Sequence, residues 1–152
     1  MGTCKALGST VQRIFVAGCL VVLAGCAGYR SESPNAFPWK IQAAGYSEEQ
    51  GPGPLIKVTY KVSMVGGATM HMTQVYALYR CAEIAQREGK PYFALYHDLP
   101  AALADRPSDT NTVTLVLGMP SSHAYIMLHD KNGPGLLSTA EVLARLGPKV
   151  GK

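Results

Sequence analysis

Leu55-Ile-Lys-Val-Thr-Tyr-Lys-Val-Ser-Met-Val65 is followed, after Gly66-Gly67, by Met72-Thr-Gln-Val-Tyr-Ala-Leu-Tyr-Arg-Cys-Ala-Glu-Ile-Ala-Gln-Arg-Glu88. Across that break the apolar period changes from that of a strand to that of a helix. In the first stretch Ile56, Val58, Tyr60, Val62 and Met64 alternate with Lys57, Thr59, Lys61 and Ser63, which gives an extended strand one apolar and one wet face. In the second, winding at about 100° per residue sets Val75, Ala77, Leu78, Tyr79, Cys81, Ala82, Ile84 and Ala85 on one wide arc. Tyr76, Arg80, Glu83 and Arg87 lie opposite, with Glu83 and Arg87 spaced as a favourable pair one turn apart. Thr73 is the expected N-cap and Gly89-Lys90-Pro91 the stop. The alanines on the apolar arc predict a helix lying close against a sheet.

Working outward, Trp39 to Ala44 reads as a short first strand, ahead of Gly45-Tyr46-Ser47-Glu48 and the breaker Gly51-Pro52-Gly53-Pro54. Tyr92 to His97, Thr112 to Leu117 and Ala124 to His129 are three further strands, the last stopped by Asn132-Gly133-Pro134-Gly135. A closing helix starts at Ser138 as N-cap, with Glu141 completing a capping box and Leu137 and Val142 spaced as a hydrophobic staple. It is expected to run to Leu146 and to end at Gly147-Pro148. The order β-β-α-β-β-β-α, joined by hairpin-length turns, predicts an α+β domain over residues 39–150: a small, largely antiparallel sheet with two helices packed on one face.

Ahead of that domain stands a segment of different character. Met1 to Arg13 carries Lys5 and Arg13 and no acid, and Ile14 to Leu23 is an apolar run about half the ~20 residues that a membrane-crossing helix needs. It ends in Leu23-Ala24-Gly25-Cys26, which reads as a bacterial lipobox: small residues before the cut fit the signal peptidase, and the thiolate of Cys26 takes the lipid. This predicts a lipoprotein signal peptide over residues 1–25 and a covalent N-acyl and S-diacylglycerol lipid on Cys26, with no other cofactor. Several acyl chains anchor firmly where one holds only marginally. Ala27, rather than Asp, after the cysteine favours the outer membrane, with the domain facing the periplasm. A secreted protein cut elsewhere and an uncleaved anchor are the competing readings, and position, run length and motif together favour the lipoprotein. Ala27 to Pro38 is polar with two prolines, so residues 26–38 are expected to form a lipidated, extended tether.

Charge and cysteine usage follow from that division. Lys5 and Arg13 precede Cys26 while all ten acidic residues follow it, so the mature part is closer to neutral than the whole chain. No Lys/Arg cluster points to nucleic acid. Cys4 and Cys19 depart with the leader and Cys26 is lipidated, leaving Cys81 as a free thiol that cannot form an internal disulfide.

The reactive residues carry no recognised catalytic pattern. His97-Asp98 and His129-Asp130 stand at strand ends, and with His123 they would gather a metal if those ends met at one sheet edge. Without an HxH or HExxH spacing, strand-terminal turn residues are the favoured reading, and no metal ligand is assigned. Cys81, mid-helix on the apolar arc, reads as a packed small hydrophobe and not as a nucleophile. Ser121-Ser122-His123 lacks a nucleophile elbow, and Gly51-Pro52-Gly53 precedes a strand and so cannot open a helix to phosphate. Tyr76, Arg80, Glu83 and Arg87 are the candidate contact for a partner protein, weighed against an ordinary surface pair between Arg80 and Glu83.

Gly45-Tyr46-Ser47-Glu48, Tyr60-Lys61-Val62, Tyr76-Ala-Leu-Tyr79-Arg80-Cys81-Ala82-Glu83, Gly89-Lys-Pro-Tyr92-Phe93 and Ala140-Glu141-Val142-Leu143 together resemble an uncharacterised family of small proteobacterial lipoproteins, over residues 45–147. The chain departs from that pattern at Met64 (Phe in the family), Gly66-Gly67 (Gly-Asn) and Cys81 (Ala). The resemblance implies an envelope lipoprotein with a small α+β domain and no assigned activity, and it supplies no catalytic residues. The expected protein is therefore non-enzymatic, held to membrane lipid through Cys26 and acting in envelope structure, assembly or stress response through an envelope protein partner. The alternative is a binder of a small molecule, metal or lipid using the sheet face or its histidine-bearing edge; a hydrolase ranks third.

Overall fold

A computed structural model describes Tyr29, Ser31 and residues 44–62 and 69–152. The leader, Leu23, Ala24, Gly25, Cys26, the strand expected over residues 39–44 apart from Ala44, and the Ser63–Gly67 turn lie outside the described residues.

The alternating stretch forms a strand, but its partner comes from polar sequence. Gly45–Gln50 (β1) pairs antiparallel with Ile56–Lys61 (β2), Tyr46 lying opposite Tyr60 and Glu48 opposite Val58. The Gly45-Tyr-Ser-Glu segment, which lies outside the strands that periodicity predicts, is thus an edge strand. Its side chains show no apolar alternation because it is held by its ladder and by polar contacts to a helix. That helix, α1, spans Met70–Arg87. Its cap is Thr69, whose hydroxyl accepts from the Met72 amide at 3.2 Å, and not Thr73, which is buried and bonds back to the Thr69 carbonyl at 2.9 Å. Two threonines four apart offer the same signal, and the one with extended backbone serves as the cap.

Tyr92–Tyr96 (β3) is followed by a short helix, Leu99–Leu103 (α2), where a loop was expected. Asp98 caps α2 at 2.7 Å to the Ala101 amide, and Pro100 sits in its first turn, where a missing N–H costs nothing. Thr112–Val116 (β4) and Met119–His129 (β5) form a hairpin around Leu117-Gly118, so β5 begins five residues earlier than its apolar pattern indicated. A three-residue strand, Leu136–Ser138 (β6), leads into the last helix, Thr139–Val150 (α3). Ser138 caps α3 as expected, but the helix passes through Gly147-Pro148 and ends at Gly151, which is in the left-handed conformation. A residue before proline is normally pushed out of the helix by its Cβ, and Gly147 has none.

All the strand pairs are antiparallel, and β5 is the spine of the sheet. It pairs with β2 along one edge; along the other it pairs with β3 through residues 125–129 and with β4 through residues 119–123. The order β1-β2-β5-β3-β6, with β4 beyond the end of β3, gives a six-stranded sheet in an α+β fold. The two long helices share one face, as expected. There Val58, Phe93, Leu95, Ala124 and Ile126 meet Ala77, Cys81, Ala82 and Ile84 of α1 and Val142 and Leu146 of α3. The alanines and Cys81 are fully buried, which is what close approach of helix to sheet requires. The other face is covered locally by α2, with Ala101 against Leu55, Ala94 and Tyr96.

The hairpin turn departs from ordinary turn chemistry. Leu117 (φ 53°) and Gly118 (φ 78°) both have positive φ, as a two-residue turn matched to strand twist requires. Glycine or asparagine takes such a position easily, whereas a leucine there is an outlier. Leu117→Asn is expected to raise the unfolding free energy by about 1 kcal/mol, the order of the left-handed penalty for a residue with a bulky side chain. Thermal denaturation reads this as a midpoint higher by a few degrees; an unchanged or lower midpoint would show that the turn is not strained.

Candidate functional site

Tyr76, Arg80, Glu83 and Arg87 recur every three or four residues along α1 and so form one stripe, as the periodicity indicated. The stripe does not face open water. β1 runs beside it and directs Tyr46 and Glu48 toward it, because alternate residues of an edge strand share a face. Tyr76 is only 8% exposed and belongs to the interior.

Arg80 is the centre of the arrangement. Its Nε donates to Glu48 Oε1 at 2.8 Å, its Nη2 also bonds Glu48 Oε1, and its Nη1 donates to Glu83 Oε2 at 2.8 Å. The guanidinium carbon lies 4.1 Å from the centre of the Tyr46 ring, a cation–π contact. Arg87 donates through both terminal nitrogens to Glu48 Oε2 at 3.1 Å and through Nε to Glu88 at 3.0 Å. Glu83 therefore pairs with Arg80, one turn back, while Arg87 is drawn to Glu48 and Glu88. The expected Glu83–Arg87 pair gives way because β1 brings a second carboxylate between them.

Tyr29 closes the cluster. Its hydroxyl donates to Glu83 Oε2. Its ring lies 5.2 Å from Tyr46, 6.4 Å from and parallel to Tyr60, 5.8 Å from Tyr76 and 5.3 Å from and edge-on to Tyr79. Ser31 makes a parallel bridge to Tyr46 on the outer edge of β1. Two residues of the segment expected to be an extended tether are thus seated on the domain. Five tyrosines converge here, and pairs at such spacings contribute about 0.5–1.5 kcal/mol beyond their burial.

The electrostatics follow the geometry. Partial burial raises the Glu48 carboxyl pKa, but the hydrogen bonds and charges of Arg80 and Arg87 outweigh it and hold the group below its ordinary value. Burial works against the Arg80 charge, yet the bonds to Glu83 and Glu48 push its pKa further up. Burial, then the bond to Glu83, keeps the Tyr29 phenol protonated and donating. The result is a set of paired charges closed by a neutral phenol.

The remaining candidates are separated or committed elsewhere. β3 and β5 run antiparallel with Tyr92 opposite His129 and Tyr96 opposite Tyr125. His97 and His129 therefore stand at opposite ends of β3, about 17 Å apart along the strand, and cannot share one edge. His97 pairs with Asp98 at 3.2 Å, while His123 lies between Thr59 and Thr112 in mid-sheet. Burial, then Lys57, lowers the His123 pKa. Among the described residues no three His, Cys, Asp or Glu side chains gather as a metal site. Cys81 is fully buried and burial pushes its thiol pKa up. Ser122, also fully buried, donates to the Thr112 carbonyl at 2.9 Å. Grooves of about 540 and 590 Å³ flank α3, lined by residues such as Leu137, Val142 and Arg145, and Pro91, Thr139 and Leu143.

Sequence reading placed Tyr76, Arg80, Glu83 and Arg87 on one stripe of α1 but missed that Tyr76 is interior and that Tyr29, Tyr46, Glu48 and Tyr60 are the neighbours of the stripe. The available signal was the tyrosine distribution, with Tyr29 isolated in a polar segment and Tyr46 beside a carboxylate pair. Comparison with known protein families, curated proteins and solved structures found no match to the chain.

Arg80→Ala, which leaves Glu48 and Glu83 partly buried without it, is expected to cost about 2 kcal/mol in urea unfolding. An effect under about 0.5 kcal/mol would make the cluster a surface ornament. The domain is also expected to weaken in acid. The unfolded chain takes up a proton at His123 more readily than the folded one, so that contribution fades as pH falls below the ordinary 6.5. Glu48, depressed when folded, adds a second loss as pH falls through and below the ordinary 4.5. Stability constant from pH 7 to pH 5 would contradict the first assignment, and no further loss between pH 5 and pH 3 would contradict the second.

Proposed function

We propose that the chain is an envelope lipoprotein, anchored in the outer membrane through lipid on Cys26, with a non-enzymatic periplasmic domain that serves by protein contacts. The observation that carries this reading is the leader: a basic start, a ten-residue apolar run from Ile14 to Leu23, and Leu23-Ala24-Gly25-Cys26 at its end. The seat of Tyr29 supports it from the domain side. A residue three positions after Cys26 that is fastened by four ring contacts and a hydrogen bond would transmit the hold of the lipid to the folded domain. The likeness of residues 45–147 to small proteobacterial lipoproteins belongs to the same proposal.

The non-enzymatic part is supported by the state of the reactive side chains. Cys81 and Ser122 are fully buried, and His97 and His129 stand at opposite ends of a strand, so these groups do not form a nucleophile–base–orienter set. Arg80, Glu48, Glu83 and Tyr29 satisfy one another and so hold structure together. A partner would then read the surface around this cluster, with Arg87, whose side chain is 50% exposed, as the most available member.

Cells expressing the full chain and fed an alkyne-bearing palmitate analogue are expected to show label on the protein, absent from Cys26→Ser, and the labelled form in the outer-membrane fraction. Label retained by Cys26→Ser, or none on the parent chain, would overturn the anchor. In-cell crosslinking from position 87 is expected to recover a discrete envelope protein; a chain that crosslinks to nothing would overturn the contact role.

A further inference from the structure

The β4–β5 hairpin ends in an apolar tip that stays exposed among the described residues. Leu115, Val116 and Leu117 are 59%, 53% and 71% exposed, and Met119 and Pro120 continue the surface. No Asp, Glu, Lys or Arg occurs between Asp109 and Asp130. Leu117 is held at φ 53° where a turn would take asparagine or glycine more easily, so neither packing nor turn chemistry accounts for a leucine there. An apolar side chain kept exposed in an unfavourable backbone conformation points to a contact outside the chain.

The register identifies what lies on that side. Tyr46, Tyr60 and Ser122 form one row across β1, β2 and β5, and the Tyr29 ring sits on it. Gly118, in the turn that precedes β5, is four residues before Ser122, about 13 Å toward the tip. Cys26 is three residues from Tyr29, so its Cα lies within about 11 Å of that residue. Ser31 bridges Tyr46 in parallel and β1 runs parallel to β5, so the chain passes Tyr46 heading away from the tip, and a bilayer holding lipid on Cys26 would be within reach of this end of the sheet. The opposite end carries ion pairs, Glu49 with Lys57 and Lys90 with Asp130, and suits water.

We infer that the Leu115–Pro120 hairpin tip inserts into the same lipid bilayer that holds the Cys26 lipid, giving the domain a second, non-covalent point of membrane contact. This rests on the lipoprotein reading. With two points of contact the domain would be held upright, the sheet axis running along the membrane normal, and not swinging on its anchor. The short Cys26–Tyr29 connection puts the tip within reach of the acyl region, and the absence of charge lets it enter.

The test uses the full chain matured in cells, extracted from membranes and reconstituted in phosphatidylethanolamine/phosphatidylglycerol vesicles. Val116→Cys carries an environment-sensitive fluorophore; Cys81 is sealed from the reagent. Blue-shifted emission, quenched by doxyl lipids and protected from aqueous iodide, is the expected result. Adding Leu117→Asn, which suits the turn, is expected to leave the fold intact and cut the doxyl quenching at least twofold. Emission characteristic of water, or protection from iodide without doxyl quenching (a protein contact), would overturn the proposal. The intact mass reports lipid on Cys26 separately. If Cys26 is bare, the anchor reading fails, and the same fluorescence, read on a chain in which Cys4, Cys19 and Cys26 are replaced by serine so that only Val116→Cys takes the fluorophore, still decides for or against insertion of the tip.

Discussion

One guanidinium ties together parts of this chain that meet at the margin of the hydrophobic core. Arg80 reaches Glu48 on the edge strand, Glu83 one turn along its own helix and, through Glu83, the hydroxyl of Tyr29. Its plane also lies over Tyr46. Lysine would supply the charge but neither the fork nor the flat face, so arginine is the side chain that satisfies three neighbours at once. Partial burial makes each bond stronger than it would be in water and makes each unmade bond more costly. β1, polar and at the edge, stays in the sheet because of this cluster as much as because of its ladder.

The second organising element is β5. An eleven-residue strand is long for a domain of this size, and its length lets β3 and β4 share one of its edges end to end while β2 takes the other. The middle of β5, with Ser122, Ala124 and Ile126, lies over the core beneath the helices, while its first residues, Met119 and Pro120, and the hairpin tip run out beyond it. Burial follows that division: Ala124 and Ile126 are fully buried, whereas Leu115 to Leu117 on the hairpin are exposed.

Periodicity made much of this fold legible, and the exceptions have physical causes. Ile56 to Val62 and Val75 to Ala85 announced themselves because each buries one face against the other, and burial is what apolar periodicity records. β1 was hidden because its side chains are held by charge and ring contacts. α2 was hidden because five residues are too few for a period to show, although Asp98 and Pro100 were a readable start. α3 ran past Pro148 where Gly147, having no Cβ, removes one of the clashes that normally stop a helix there. In the site, the α1 stripe was readable as one side of a helix, but its partners come from positions 29, 46, 48 and 60, and a helical wheel carries no information about what lies across from it.

Cys81 leads to one more consequence. Its sulfur is sealed between α1 and the sheet, where no solvent reaches it and the thiolate is disfavoured. In the finished fold it neither meets an oxidant nor exchanges with a disulfide. The hazard exists only before α1 docks, while the thiol is still exposed on an incomplete chain. The redox fate of this protein is thus settled by a race: how quickly the helix closes over the sheet, set against how quickly its surroundings can oxidise a bare thiol.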